Sequence, residues 1–98
     1  MTEREYARRR AAAREALTAR RLDGLLVSSP ANLRYLSGFT GSNALLVLLA
    51  DRAVLFTDRR YTLQASGQTG CTVRTASGSL FDAASKWLRT NRINRLGY

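Results

Sequence analysis

Ninety-eight residues, 45% of them hydrophobic, suit one modest domain with a real core and are too few for a core plus an elaborate catalytic superstructure. Sixteen basic residues, all arginine except Lys86, against seven acidic ones give a formal charge of +9, which raises nucleic acid as a partner class. The chain has no histidine, which excludes a Ser-His-Asp triad and the usual general base near neutral pH, and its one cysteine, Cys71, excludes an intrachain disulfide.

In chain order, Glu3 to Arg21 reads as an amphipathic helix with Tyr6, Ala13 and Leu17 on one stripe, broken by Asp23-Gly24. Seven arginines fall in this first stretch, interleaved with Glu3, Glu5, Glu15 and alanines, so the expected reading is a solvated helix face rather than a nucleic-acid surface. The same acidic residues argue against an organelle transit peptide. "LLVSS" follows as a short strand, and Pro30 restarts the chain in a helical turn through Leu36. "ALLVLLA" and "AVLFTD" are the next two strands, and the Asp51-Arg52 connection between them is short enough to force an antiparallel hairpin. The first of the pair is apolar on both faces, which places it inside a sheet covered by helices on each side. That run, Ala44 to Ala50, is far short of the ~20 residues that span a bilayer, so no membrane association is expected.

Asp58 is expected to cap a helix from Arg59 to about Ser66, ended by Gly67. "CTVRTA" alternates Cys71, Val73 and Thr75 on one face of a further strand, with Cys71 a small buried hydrophobe. Gly78-Ser79 opens a last helix whose core-facing stripe is Leu80, Ala84, Trp87 and Leu88, and "RLGY" begins one more strand. The pattern is α/β, a three-layer mixed β-sheet with helices on both faces, and its strand-like ending leads us to expect a domain over residues 1–98 that is incomplete at its C-terminus.

Little in this inventory carries chemistry. Asp23, Asp51, Asp58 and Asp82 sit at turns or helix starts and are expected to act as caps and turn formers, and "GFTGSN" lacks the lysine of a phosphate loop. No catalytic residue and no metal ligand is assigned. Gly38 and Gly41 bracket Phe39-Thr40 and leave two readings open: a sharp turn exposing the Phe39 ring with the Thr40 and Ser42 hydroxyls to a small ligand, or a plain turn with Phe39 folded into the core.

The stretch "NLRYLSGFTGSNALLVL" followed by "AVLFTDRRYTLQA" resembles the N-terminal domain of the creatinase, prolidase and Xaa-Pro aminopeptidase family of metallopeptidases, most closely its bacterial Xaa-Pro aminopeptidase and dipeptidase branch. The resemblance covers nearly the whole chain. It implies a ribonuclease H-like domain standing before a larger "pita-bread" domain, absent from these residues. There two divalent metals, manganese or cobalt, would activate a water to cut the bond preceding proline. The piece in hand would then be non-catalytic, a cytoplasmic domain that shapes active-site access and helps pair subunits of a homodimer acting on short proline-containing peptides. On the same resemblance Asn32, Phe39, Thr40, Gly41, Ser42 and Asn43 are substrate-gating candidates, and Asp58, Arg60 and Tyr61 form a structural corner in which Asp58 caps a helix and Arg60 ties down the adjacent loop. A free-standing binding module of the same fold, or a basic nucleic-acid-binding domain, are the alternatives.

Overall fold

The computed structural model describes residues 2–97, so Met1 and the Tyr98 of the "RLGY" reading lie outside the described residues. Nine elements follow one another: α1 (Glu3–Ala19), β1 (Gly24–Val27), α2 (Pro30–Ser37), β2 (Ala44–Leu49), β3 (Ala53–Thr57), α3 (Thr62–Gln68), β4 (Thr72–Thr75), α4 (Leu80–Thr90) and β5 (Leu96–Gly97). The five strands form one mixed sheet in the order β4-β3-β2-β1-β5. The β2–β3 hairpin pairs antiparallel, with Ala44 opposite Thr57 and Leu48 opposite Ala53, as its short connection requires, and Leu49 N–H donates to the Arg52 carbonyl at 2.8 Å across the turn. β1 also runs antiparallel to β2, whereas the outer pairs β3–β4 and β1–β5 are parallel.

The doubly apolar β2 and β3 sit at the centre because both of their faces must be covered. Along them alternate residues divide between two cores. Leu46, Leu48, Ala53 and Leu55 join Leu17 of α1, Leu33 and Leu36 of α2 and Ala65 of α3 on one face. Leu45, Val47, Leu49, Val54 and Phe56 meet Leu80, Ala84 and Leu88 of α4 on the other. Trp87 completes the expected stripe by packing edge-on against Phe56, centroids 6.0 Å apart. The three-layer arrangement expected from the sequence is the one observed.

Two sequence expectations are corrected. The helix after β3 runs from Thr62 to Gln68 with Gly67 inside it, not from Arg59 to about Ser66 with Gly67 as its end, and Asp58 does not cap it; Tyr61 holds the N-cap position without a side-chain hydrogen bond. Asp58 instead folds its carboxylate onto the backbone N–H of Arg60, 2.9 Å, a local turn that competes with helix and delays its start by a few residues. Nor are all the early arginines solvated. Arg10 is 6% exposed, donating to the Leu36 carbonyl at 2.9 Å and to Glu3 at 2.8 Å, while Glu3 also accepts from the Gly70 N–H at 3.0 Å. Arg14 donates to the Leu49 carbonyl at 2.7 Å and Arg9 to the Tyr35 carbonyl at 3.0 Å. Arg10 and Arg14 thus satisfy carbonyls at the ends of α2 and β2 that lie near the core.

Candidate functional site

β1, β3 and β4 finish, and β2 begins, at the same end of the sheet. The connections that gather there carry most of the residues singled out by sequence. α2 delivers the chain to this end: Ser29 caps its first turn by accepting from Asn32 N–H at 3.2 Å, Pro30 stands at its start, and Gly38 ends it in the left-handed region at φ 81°. Any side chain on Gly38 would also strike the Tyr6 ring, at about 2.8 Å, so the exit from α2 requires glycine twice over. The fully buried Ser37 hydroxyl then accepts from Phe39 N–H at 3.1 Å and fixes the direction in which the loop leaves.

The exposed-ring reading of Phe39 is overturned by its burial. Phe39 is 2% exposed, packed into the core shared with Leu33, Leu36 and Ala65, and it meets Tyr61 edge-on with centroids 5.9 Å apart. The ring holds the loop down from beneath, and only the hydroxyl-bearing residues after it reach the surface. Gly41 lies against the same two rings, and a Cβ there would collide with Phe39 and come within 2.9 Å of Tyr61.

The rest of the loop is fastened residue by residue. Thr40 is clasped by α3: its N–H donates to Gln68 Oε1 at 3.1 Å, and its hydroxyl accepts from Gln64 and Gln68 at 3.1 and 2.9 Å. Ser42 Oγ lies 2.6 Å from the Tyr61 hydroxyl. Asn43 Nδ2 donates to Asp58 Oδ2 at 2.7 Å, and its carbonyl accepts from the buried Thr57 hydroxyl at 2.6 Å. Asp58 also receives both Nε and Nη2 of Arg60, at 3.0 and 2.9 Å, and the Arg60 guanidinium lies 5.0 Å over the Tyr61 ring.

The Arg60 guanidinium, with Asn43 second, holds the Asp58 carboxyl well below the usual carboxylate range, and Asp58 in turn raises Arg60. Held ionised by these donors, the Asp58 carboxylate anchors the loop through Asn43. The tie to the loop therefore runs through Asp58, with Arg60 clamping the carboxylate; that corrects the expectation that Arg60 itself reaches the loop. Asn43, Asp58, Arg59, Arg60, Ser77 and Gly78 line a shallow cleft of about 400 Å³ beside this corner.

Asn32 stands apart. It is exposed on the first turn of α2 and makes none of the loop's hydrogen bonds; it lines a groove of about 490 Å³ between the end of β1 and α2, with Ser29, and with Tyr35 and Phe81 exposed at its sides. The structure thus brings Phe39, Thr40, Gly41, Ser42 and Asn43 together with Asp58, Arg60 and Tyr61, and leaves Asn32 on a neighbouring surface. Gln64 and Gln68 were missed by sequence reading; their spacing of four, which sets both on one side of α3, was the available signal. Cys71 is half-buried beside the core and burial pushes its thiol up, the behaviour of a packing residue. Among the described residues no three His, Cys, Asp or Glu side chains come together to hold a metal, so the metals implied by the resemblance find no ligand set in this domain.

The Creatinase/Prolidase N-terminal domain profile matches residues 9–98. A curated relative, the uncharacterized peptidase YqhT of Bacillus subtilis (strain 168), is 41% identical over 78 residues, 79% of this chain and 22% of its own. The chain therefore spans about a fifth of that relative's length. Among solved structures, an Xaa-Pro dipeptidase from Bacillus anthracis superimposes with a TM-score of 0.82 at 29% identity, over 97% of this chain and 26% of that one. An Xaa-Pro aminopeptidase from Streptococcus pyogenes gives 0.87 at 29% identity, over 97% of this chain and 74% of the other.

Proposed function

The chain belongs to the creatinase/prolidase N-terminal domain family, and from that premise we propose that it is the non-catalytic entrance domain of a dinuclear metal-dependent Xaa-Pro peptidase. Its direct partner is a C-terminal catalytic domain of the same protein, which carries two divalent metals, manganese or cobalt, and hydrolyses the bond preceding proline in short peptides. The protein works in the cytoplasm as a homodimer, and this domain contributes to the pairing of subunits and to the wall around the active site.

The observation that carries the reading is the fastening of residues 39–43 onto the Asp58–Tyr61 corner. A surface loop with no task beyond connecting α2 to β2 does not need a buried aromatic, a two-glutamine clasp and a carboxylate anchor to hold its position. Such fixing suits a rim that must present polar groups at one place and exclude bulky chains from a cleft. Thr40 and Ser42, exposed at the tip, and Asn32 in the adjoining groove are the groups left to meet a peptide.

The test is made in the full-length protein. Reading the gene past the codon for residue 98 should show an open frame encoding an Asp, Asp, His, Glu, Glu ligand set, and a stop codon there would leave a free-standing binding module instead. In the full enzyme, replacing Asn32 and Thr40 by alanine should raise KM for an Xaa-Pro peptide; unchanged kcat and KM in both variants would remove these residues from the entrance. Phe39 is unsuitable for this purpose because its loss would disturb the core.

A further inference from the structure

The end of the sheet opposite the loop gathers arginines from three separate segments. Arg20 and Arg21 follow α1, Arg52 sits in the β2–β3 turn, and Arg89, Arg92 and Arg95 run from the last turn of α4 to β5. The segments are tied together: Asp23 N–H donates to the Arg95 carbonyl at 2.7 Å, the Asp23 carboxylate accepts from Asn94 and Arg95 N–H at 3.2 and 3.0 Å, and the Arg52 guanidinium lies 5.2 Å over the Trp87 ring of α4. Asp23 is thereby engaged with backbone, which lowers its pKa. Among the described residues the two ion pairs are Arg10–Glu3 and Arg60–Asp58, and neither includes a member of this group.

Two of these arginines also hold a conformation that an L side chain rarely adopts. Arg21 has φ 56° and Arg92 φ 57°, the only non-glycine residues at positive φ among those described. Each occupies the residue just past a helix end, in a matching pair of turns: Arg21 N–H donates to Thr18 and Leu22 N–H to Leu17, while Arg92 N–H donates to Arg89 and Ile93 N–H to Leu88. Glycine is the residue that makes this turn without strain. A cation near the C-terminal end of a helix offsets part of that strain through the helix dipole. Neither turn, however, needs a guanidinium to close its hydrogen bonds.

We propose that this arginine pole binds a linear chain of phosphate groups. Planar guanidinium forks donate two parallel hydrogen bonds to phosphate oxygens, none of the six is held in an ion pair among the described residues, and they are spread across segments from both faces of the sheet, as a chain of anions requires. The source of the chain, a nucleic-acid backbone or inorganic polyphosphate, is decided by the test.

The test uses the full-length protein with two labelled probes, an inorganic polyphosphate and a mixed-sequence single-stranded oligonucleotide. Binding of either supports the proposal and identifies the source; binding of neither at low salt overturns it. With four to six phosphate contacts, a fourfold rise in salt should weaken binding about 50- to 300-fold. Replacing Arg21 and Arg92 together by glycine should leave Tm unchanged or raised, while lowering affinity and making the salt dependence shallower by roughly 0.7 per arginine on log–log axes. A lowered Tm with unchanged affinity would mean that the two arginines serve only the helix ends, and would overturn it. R20Q/R95Q, exposed and in ordinary backbone, repeats the affinity test without touching the turns. R4Q/R8Q, at the far end of α1, should bind as the parent does, and an equal loss there would reduce the effect to net charge.

Discussion

The two ends of the sheet are built on opposite electrostatic plans. At the loop end one carboxylate organises the corner: four donors converge on Asp58, and every polar residue from Thr40 to Asn43 has a side-chain or backbone partner. At the arginine pole the carboxylate of Asp23 is given to backbone amides and six guanidiniums remain without a carboxylate. The first plan gives short-range position and the second a long-range field. Recognition of a small, shaped ligand belongs with the former and attraction of a charged polymer with the latter.

Substitutions can break that comparison, beginning with the largest effect. Phe39→Ala should cost about 3–5 kcal/mol, because the buried ring supports the loop and part of the core together; denaturant unfolding measures it, and a loss under 1 kcal/mol would show that the loop does not depend on the ring. Gly41→Ala should cost about 1–3 kcal/mol, since the new methyl must displace Phe39 or Tyr61, and the same assay should show Gly67→Ala, where a methyl meets nothing, as neutral or stabilising.

Asp58→Asn should act through pH. The folded-state value of Asp58 lies below its unfolded value of about 3.9, so its contribution is fully present above that value and is lost as the pH falls through the folded one. The variant should therefore be less stable near neutral pH and show a flatter acid limb in a Tm-versus-pH profile; parallel profiles would remove Asp58 as the anchor. Asn32→Ala, on an exposed turn, should change stability by no more than about 0.5 kcal/mol, so any effect it has on peptide turnover reports on contact alone.

What could be read from sequence divides along the same line between local and non-local causes. The hairpin, the doubly apolar centre and the α4 stripe follow from periodicity and a short connection, and all three stand. The start of α3 was misplaced because an aspartate before two arginines can either cap a helix or close its own turn, and here the turn wins. Phe39 was ambiguous because a loop of Gly-Phe-Thr-Gly does not reveal which way its ring points. Arg10 had a usable signal: it lies four residues after Tyr6 and three before Ala13, in the middle of the apolar stripe, so its charge had to find partners inside. The arginine pole had none, since its members become neighbours only when three segments meet.

The Glu3 contact also orders events in time. Its carboxylate waits for Gly70, sixty-seven positions further along the chain, whereas β2 and β3 need only the residues between them. On a ribosome, α1 therefore emerges before the residues that fasten it: Arg10 meets the Leu36 carbonyl only after α2 is made, and Glu3 meets Gly70 only after α3. The hairpin is a contact of near neighbours in the chain, whereas the Glu3–Gly70 hydrogen bond latches one end of the domain's chain to a distant part of it.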